Sequence, residues 1–173
     1  MELDELANRE IEILGRVNNL DGTMDEKFKK VRNLGIGDLY AEVFEQYVKL
    51  HKKESEAMKR SLFLYWYSIS EPGCYTGLLE LKDELVKKVL NTLDRRLARN
   101  ISDYELDWML SYYSNWEFIF ERFQKFESLL ARIKNKEKTE LPNSINSEEM
   151  KLRGQMGRYW NSIIKTKPAD KNR

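Results

Sequence analysis

Ala57-Met-Lys-Arg-Ser-Leu-Phe-Leu-Tyr-Trp-Tyr-Ser-Ile-Ser70 decides the fold, because Leu62 to Tyr67 is an unbroken apolar and aromatic run inside a helical pattern. A helix that is apolar all round has no face to give to water and must be covered on several sides. It falls far short of the roughly 20 apolar residues that cross a bilayer, and Lys59 and Arg60 sit within its first turns. The stretch therefore predicts the middle of a helical fold with no membrane partner.

Upstream, the apolar positions Tyr40, Val43, Phe44, Tyr47, His51, Met58, Leu62, Tyr65 and Ile69 keep helical phase across the polar patch His51-Lys-Lys-Glu-Ser-Glu56. Without Gly or Pro to interrupt it, this phase predicts one long helix over 38–70, with Asp38 as its cap. Glu71-Pro72-Gly73 stops it. Residues 2–19 form an amphipathic first helix on Leu3, Leu6, Ala7, Leu14 and Val17, with Glu10 the polar exception on the stripe. Thr23-Met-Asp-Glu26 reads as a capping box opening a short second helix.

Downstream, Thr76 is expected to cap a Leu/Val-faced helix over 77–99. Ile101-Ser-Asp-Tyr-Glu105-Leu106 carries a second capping box, Ser102 with Glu105, and a hydrophobic staple. The helix predicted over 103–135 is aromatic: of Tyr104, Trp108, Tyr112, Tyr113, Trp116, Phe118, Phe120, Phe123 and Phe126 most, with their aliphatic neighbours, occupy an arc of roughly 200°. Trp66 and Trp116 are placed inside, while Tyr112, Phe118 and Phe126, at the edge of the arc or beyond it, are the candidate partner contacts. A last helix over 147–165, capped by Asn146, buries Leu152, Met156, Tyr159, Trp160 and Ile163. Its Gly154 and Gly157 leave a bare strip that implies a close neighbour.

The architecture expected is all-α: a single domain over 1–165, a bundle of about six helices built on long antiparallel helices, with a polar tail over 166–173. Its 173 residues suffice for a core without staples, and 34% charged residues with only 3 Pro and 8 Gly suit a helical protein. One cysteine, Cys74, and an acidic Met-Glu-Leu-Asp-Glu start predict a cytoplasmic location. Charge is uneven: residues 1–26 carry two Arg against eight acids, and 151–173 carry seven Lys and Arg against Asp170. The simplest expectation is that the two ends lie near each other and compensate, or are merely solvated.

Several functions are excluded. With one histidine there is no His pair, Glu-x-x-His or His-Glu-x-x-His for a metal, and Gly35-Ile-Gly37 lacks the third glycine and the lysine of a phosphate loop. No cofactor is expected. Leu34-Gly-Ile-Gly-Asp-Leu-Tyr40 resembles the turn and recognition helix of TetR-type repressors over fewer than ten residues. Asp38, Glu42 and Glu45 on that helix repel phosphates, and the net charge is only +1, so nucleic acid is set aside. The long helix with a histidine resembles histidine phosphotransfer domains, but His51-Lys-Lys-Glu does not reproduce their motif and His51 lies on the apolar stripe.

Four residues remain as a candidate site. His51 and Glu54, at i, i+3, would place a carboxylate beside an imidazole. Glu71 and Cys74 lie in the loop after the central helix, with Cys74 just before a predicted helix start, where a thiol pKa falls. The function expected by elimination is a non-enzymatic protein-interaction or scaffold module with protein partners, able to self-associate as a homo-oligomer. The alternative is a small-molecule-binding protein or enzyme with a pocket between the long helices near His51 and Glu54.

Overall fold

The computed structural model describes residues 2–135 and 138–165; the tail expected over 166–173 lies outside the described residues. The described residues are all-α and form one packed set of helices. In chain order these are α1 (Leu3–Asn18), α2 (Met24–Asn33), α3 (Ile36–Leu50), α4 (Ser55–Ser70), α5 (Gly73–Thr76) and α6 (Asp83–Leu97). They continue as α7 (Tyr104–Tyr113), a 3₁₀ turn (Ser114–Trp116), α8 (Phe118–Glu121), α9 (Glu127–Lys134), α10 (Ser147–Lys151) and α11 (Gly154–Lys165).

The apolar run of α4 is central, as its composition requires. Ten consecutive residues, Ala57 to Trp66, are buried, and α4 packs against α3, α6 and α11. Its ring contacts add α7, through Trp66 stacked on Tyr113. α1 lies across α3 and α11, so the acidic first helix meets the described part of the basic end.

The predicted helix over 38–70 is two helices. α3 ends at Leu50 and α4 starts at Ser55, with Glu54 extended at φ −109°, ψ 109°. The chain reverses there so that α3 packs along α4. The cause is the side chain of His51, which bonds back to the Val48 carbonyl and ends α3, while Lys52, Lys53 and Glu54 stay in water. Helical phase happens to survive this reversal, and no Gly or Pro announces it. Asp38 lies inside the first turn rather than at the cap, since α3 begins at Ile36.

The predicted helix over 77–99 starts late. Gly77, at φ 77°, closes α5, and Thr76 Oγ1 accepts from Leu78 N (3.1 Å) without starting a helix. A non-helical stretch then buries Leu78 and Leu81 before α6 begins at Asp83. The aromatic helix predicted over 103–135 is also broken. Ser114 Oγ donates to Ser111 O (2.6 Å) and Asn115 Nδ2 to Tyr112 O (2.8 Å), competing with the amides that would continue α7. α9 starts afresh at Glu127, its Leu129 amide capped across the fold by Asp94 of α6 (2.9 Å).

Of the three predicted caps that remain beside Asp38 and Thr76, two form as read. Thr23 and Glu26 make a reciprocal box, and the Asn146 side chain accepts from the Glu148 and Glu149 amides. At the third, Asp103 and not Ser102 caps α7, accepting from Leu106 N at 2.9 Å, while Glu105 turns away to pair with Lys59 and Arg153. Asp103→Ala and Asn146→Ala are each expected to lose about 1 kcal/mol, and Ser102→Ala less than about 0.5 kcal/mol, in urea unfolding midpoints.

The predicted 147–165 helix breaks at Leu152 and Arg153, which exposes Leu152 (64%) instead of burying it. Gly154 takes φ 62° at the joint, and a Cβ there would lie 2.5 Å from Glu10 Oε1 of α1. A Cβ on Gly157 would run into the Met150 carbonyl. The bare strip does mark close approach, but to the carboxylate of α1 and the backbone of α10.

Candidate functional site

His51 sits at the C-terminus of α3, 3% exposed, its Nδ1 against Val48 O and its Nε2 2.9 Å from Thr92 Oγ1 of α6. Both ring nitrogens are engaged. Glu54, expected beside it, is exposed, and the two do not form the predicted pair. Glu71 and Cys74 lie past the other end of α4, a helix of 16 residues and therefore about 24 Å long. Cys74 is buried where α5 meets α1 and α2. The four candidates therefore do not converge. Among the described residues, no group of three or more His, Cys, Asp or Glu side chains is placed to hold a metal ion, and no helix is long and apolar enough to cross a membrane.

What the structure does assemble is a chain of alternating charges along one side of α4. Arg60 Nε donates to Glu56 Oε1 (2.7 Å), and Arg153 binds both oxygens of Glu56 (2.7 and 2.6 Å). Arg153 also reaches Glu105, which takes Lys59 (2.7 Å), and Lys59 meets Asp103 at 2.9 Å. Burial alone would raise the Glu56 carboxyl, but the hydrogen bonds and charges of Arg153 and Arg60 outweigh it and hold Glu56 below its ordinary value. Asp103 is likewise lowered, burial being outweighed by the Leu106 amide and Lys59.

This chain ends inside the fold at Glu10, the polar exception on the α1 stripe. Its Oε1 accepts from Tyr47 OH (2.6 Å) and its Oε2 from the Gln155 amide (2.9 Å), at the first turn of α11. Tyr47 OH in turn accepts from Arg60 Nη1 at 3.4 Å, so three cations and three acids of the surface network balance one another and Glu10 is the carboxyl left over. Burial pushes Glu10 up to about 7, against the lowering effect of Tyr47, the Gln155 amide and Arg60. Ionising it in the folded state costs about 3 kcal/mol more than in the unfolded chain. Only its place on an otherwise apolar stripe marked it in the sequence.

The third feature is aromatic. Trp66, Tyr67, Tyr112, Tyr113, Trp116 and Tyr159 form one cluster, with Tyr112 OH and Tyr159 OH 2.7 Å apart. Tyr112 is thus half-buried and bonded inward, and Phe126 is 2% exposed, so neither is a free contact residue. Phe118 is exposed, at 59%. It borders a half-open cleft of about 310 Å³ between the end of α4, the 80–81 stretch and α8, walled by Tyr65, Ile69, Leu81 and Ile119. Ile69 is 40% exposed at its mouth. Arg122 stands on the rim, 3.4 Å from Glu80 and 2.8 Å from Asp83. The cleft floor is fixed by Tyr65 OH, which donates to Ile119 O at 2.6 Å. The cleft can take an apolar side chain and flank it with charge of either sign.

The chain matches no protein family, no characterised protein and no solved structure.

Proposed function

We propose that the chain is a non-enzymatic interaction module that pairs with a second copy of itself through the cleft beside Phe118. The observation that carries this is the self-complementarity of the patch: a projecting ring, Phe118, adjoins a hollow floored by Tyr65 and Leu81, and the rim carries both Arg122 and the acids Glu80 and Asp83. A two-fold axis through such a patch sets knob into hole and cation against carboxylate twice over. The cleft would be the core of the interface, since stable pairs bury about 800 Å² per partner. A small-molecule site at His51 and Glu54 draws no support from the geometry, with the ring fully engaged and the carboxylate in water.

Sedimentation velocity over a concentration series tests this reading. The native chain is expected to shift from monomer to dimer in the micromolar range or below, and Phe118→Asp to stay monomeric with an unchanged helical spectrum. A native chain monomeric at every concentration, or a dimer indifferent to Phe118→Asp, overturns it.

A further inference from the structure

The Glu10 carboxyl is 1% exposed and holds the start of α11 with one oxygen while Tyr47 of α3 holds the other. Gly154, in its left-handed conformation, lets the peptide lie flat against the carboxyl with no side chain between. Gln155 completes the joint: its Nε2 donates to Tyr40 OH and to Thr76 O (2.8 Å), and Tyr40 OH donates to Glu10 O (3.1 Å). The Gln155 Oε1 acceptor is buried with no hydrogen-bond partner. Among the described residues no cation touches the Glu10 carboxyl, so an ionised Glu10 sets a charge at 1% exposure that only the Tyr47 and Gln155 hydrogen bonds meet, whereas a neutral one sets none.

We propose that Glu10 is a proton-operated latch on α11: the neutral carboxyl seats the helix against α1 and α3, and loss of its proton loosens it. The groups facing Glu10 are Tyr40 and Tyr47 from α3, Glu56 and Arg60 from α4, and the Gln155 amide from α11. Arg153, before α11, is neutralised by Glu56 and Glu105. Arg60 alone supports the ionised form by charge, and it is already paired with Glu56 at 2.7 Å. Neither tyrosine yields a proton near neutrality, since burial raises both. Glu10 is therefore the group in this joint that changes state there.

The sign follows from the direction of the shift. A carboxyl raised in the seated state favours seating fully below its free value of 4.5, and that advantage is lost as pH rises through about 7. Loosening α11 uncovers the buried faces of Met156, Trp160 and Ile164 and the part of α1 they pack against.

Hydrogen exchange measured by mass spectrometry on peptides covering 154–165, corrected for intrinsic rates, tests the latch. Between pH 5.5 and 8.5 the opening equilibrium of α11 is expected to rise about 30-fold in the native chain. In Glu10→Gln, which keeps size and hydrogen bonding without the charge, it should stay flat. Equal slopes in the two proteins, or no slope in the native chain, overturn the proposal. A carboxyl ¹³C titration of Glu10 in the native protein reads the same point without mutation: a midpoint near 7 is expected, and one below 5 refutes it.

Discussion

Trp66→Ala is expected to destabilise the protein by about 3 to 5 kcal/mol, lowering the thermal midpoint by roughly 10 °C in a domain of this size. The indole is fully buried, stacked on Tyr113 at 4.7 Å and on Tyr67 at 5.9 Å, and it meets Tyr112, Trp116 and Tyr159 edge-on at 5.2 to 5.8 Å. Removing it takes the centre from a cluster contributed by α4, α7 and α11, and the surrounding rings are held by other contacts and cannot close the gap. Trp116→Ala removes a ring at the edge of the same cluster, half in solvent, and should cost under about 2 kcal/mol. Calorimetry on the two variants separates them; equal costs would mean that the cluster stabilises the fold through its rim and not its centre.

Arg153→Ala is expected to cost about 2 kcal/mol, because it takes a shared cation from two shielded carboxylates at once, leaving Glu56 to Arg60 and Glu105 to Lys59. The Arg153 side chain is 14% exposed, Glu56 26% and Glu105 22%, so all three ends are largely shielded from water. The loss should appear in full in urea unfolding at pH 7. Arg153→Lys should fall between the two, since an ammonium cannot grip both oxygens of Glu56 as the guanidinium does. Indifference to Arg153→Ala would show the network to be surface decoration. The pH dependence has two opposed limbs. Glu56 and Asp103 are held below their free values, so their contribution is present above the unfolded carboxylate range and is lost on acidification, whereas that of Glu10 is lost as pH rises towards about 7. Maximum stability therefore falls at mildly acidic pH.

Signals in the sequence were reliable where a few adjacent residues decide the outcome. Thr23 with Glu26 and Asn146 with Glu149 start helices because cap and amide lie within one turn, and the all-apolar run of α4 is central because no other position could cover it. What stayed hidden is decided between elements. His51 ends α3 by turning its ring onto Val48 while Thr92, 41 residues away, holds the other nitrogen. Asp94 caps α9 from 35 residues upstream, and Phe126, assigned to the edge of one long helix, is inside because that helix is broken before it. The same holds for function: His51, Glu54, Glu71 and Cys74 were plausible by residue type, and tertiary geometry separates them. Of the suspected contact residues only Phe118 stands exposed, with the turn after α7 breaking the helix just before it.

The bond between Glu10 and the Gln155 amide joins residues 145 positions apart, and Arg153 reaches Glu56 across 97. During synthesis α1, α3 and α4 are complete long before either partner has been made. At roughly 5 to 20 residues per second the nascent chain waits several seconds with Glu10 lacking the Gln155 amide and Glu56 lacking Arg153, and with the surface that α11 will cover open to water. Closure of this joint therefore waits for the segment from Arg153 onward, and a chain cut off before Arg153 would be a helical but unclosed intermediate. Such a species would be a natural substrate for chaperones and proteases that recognise exposed apolar helices.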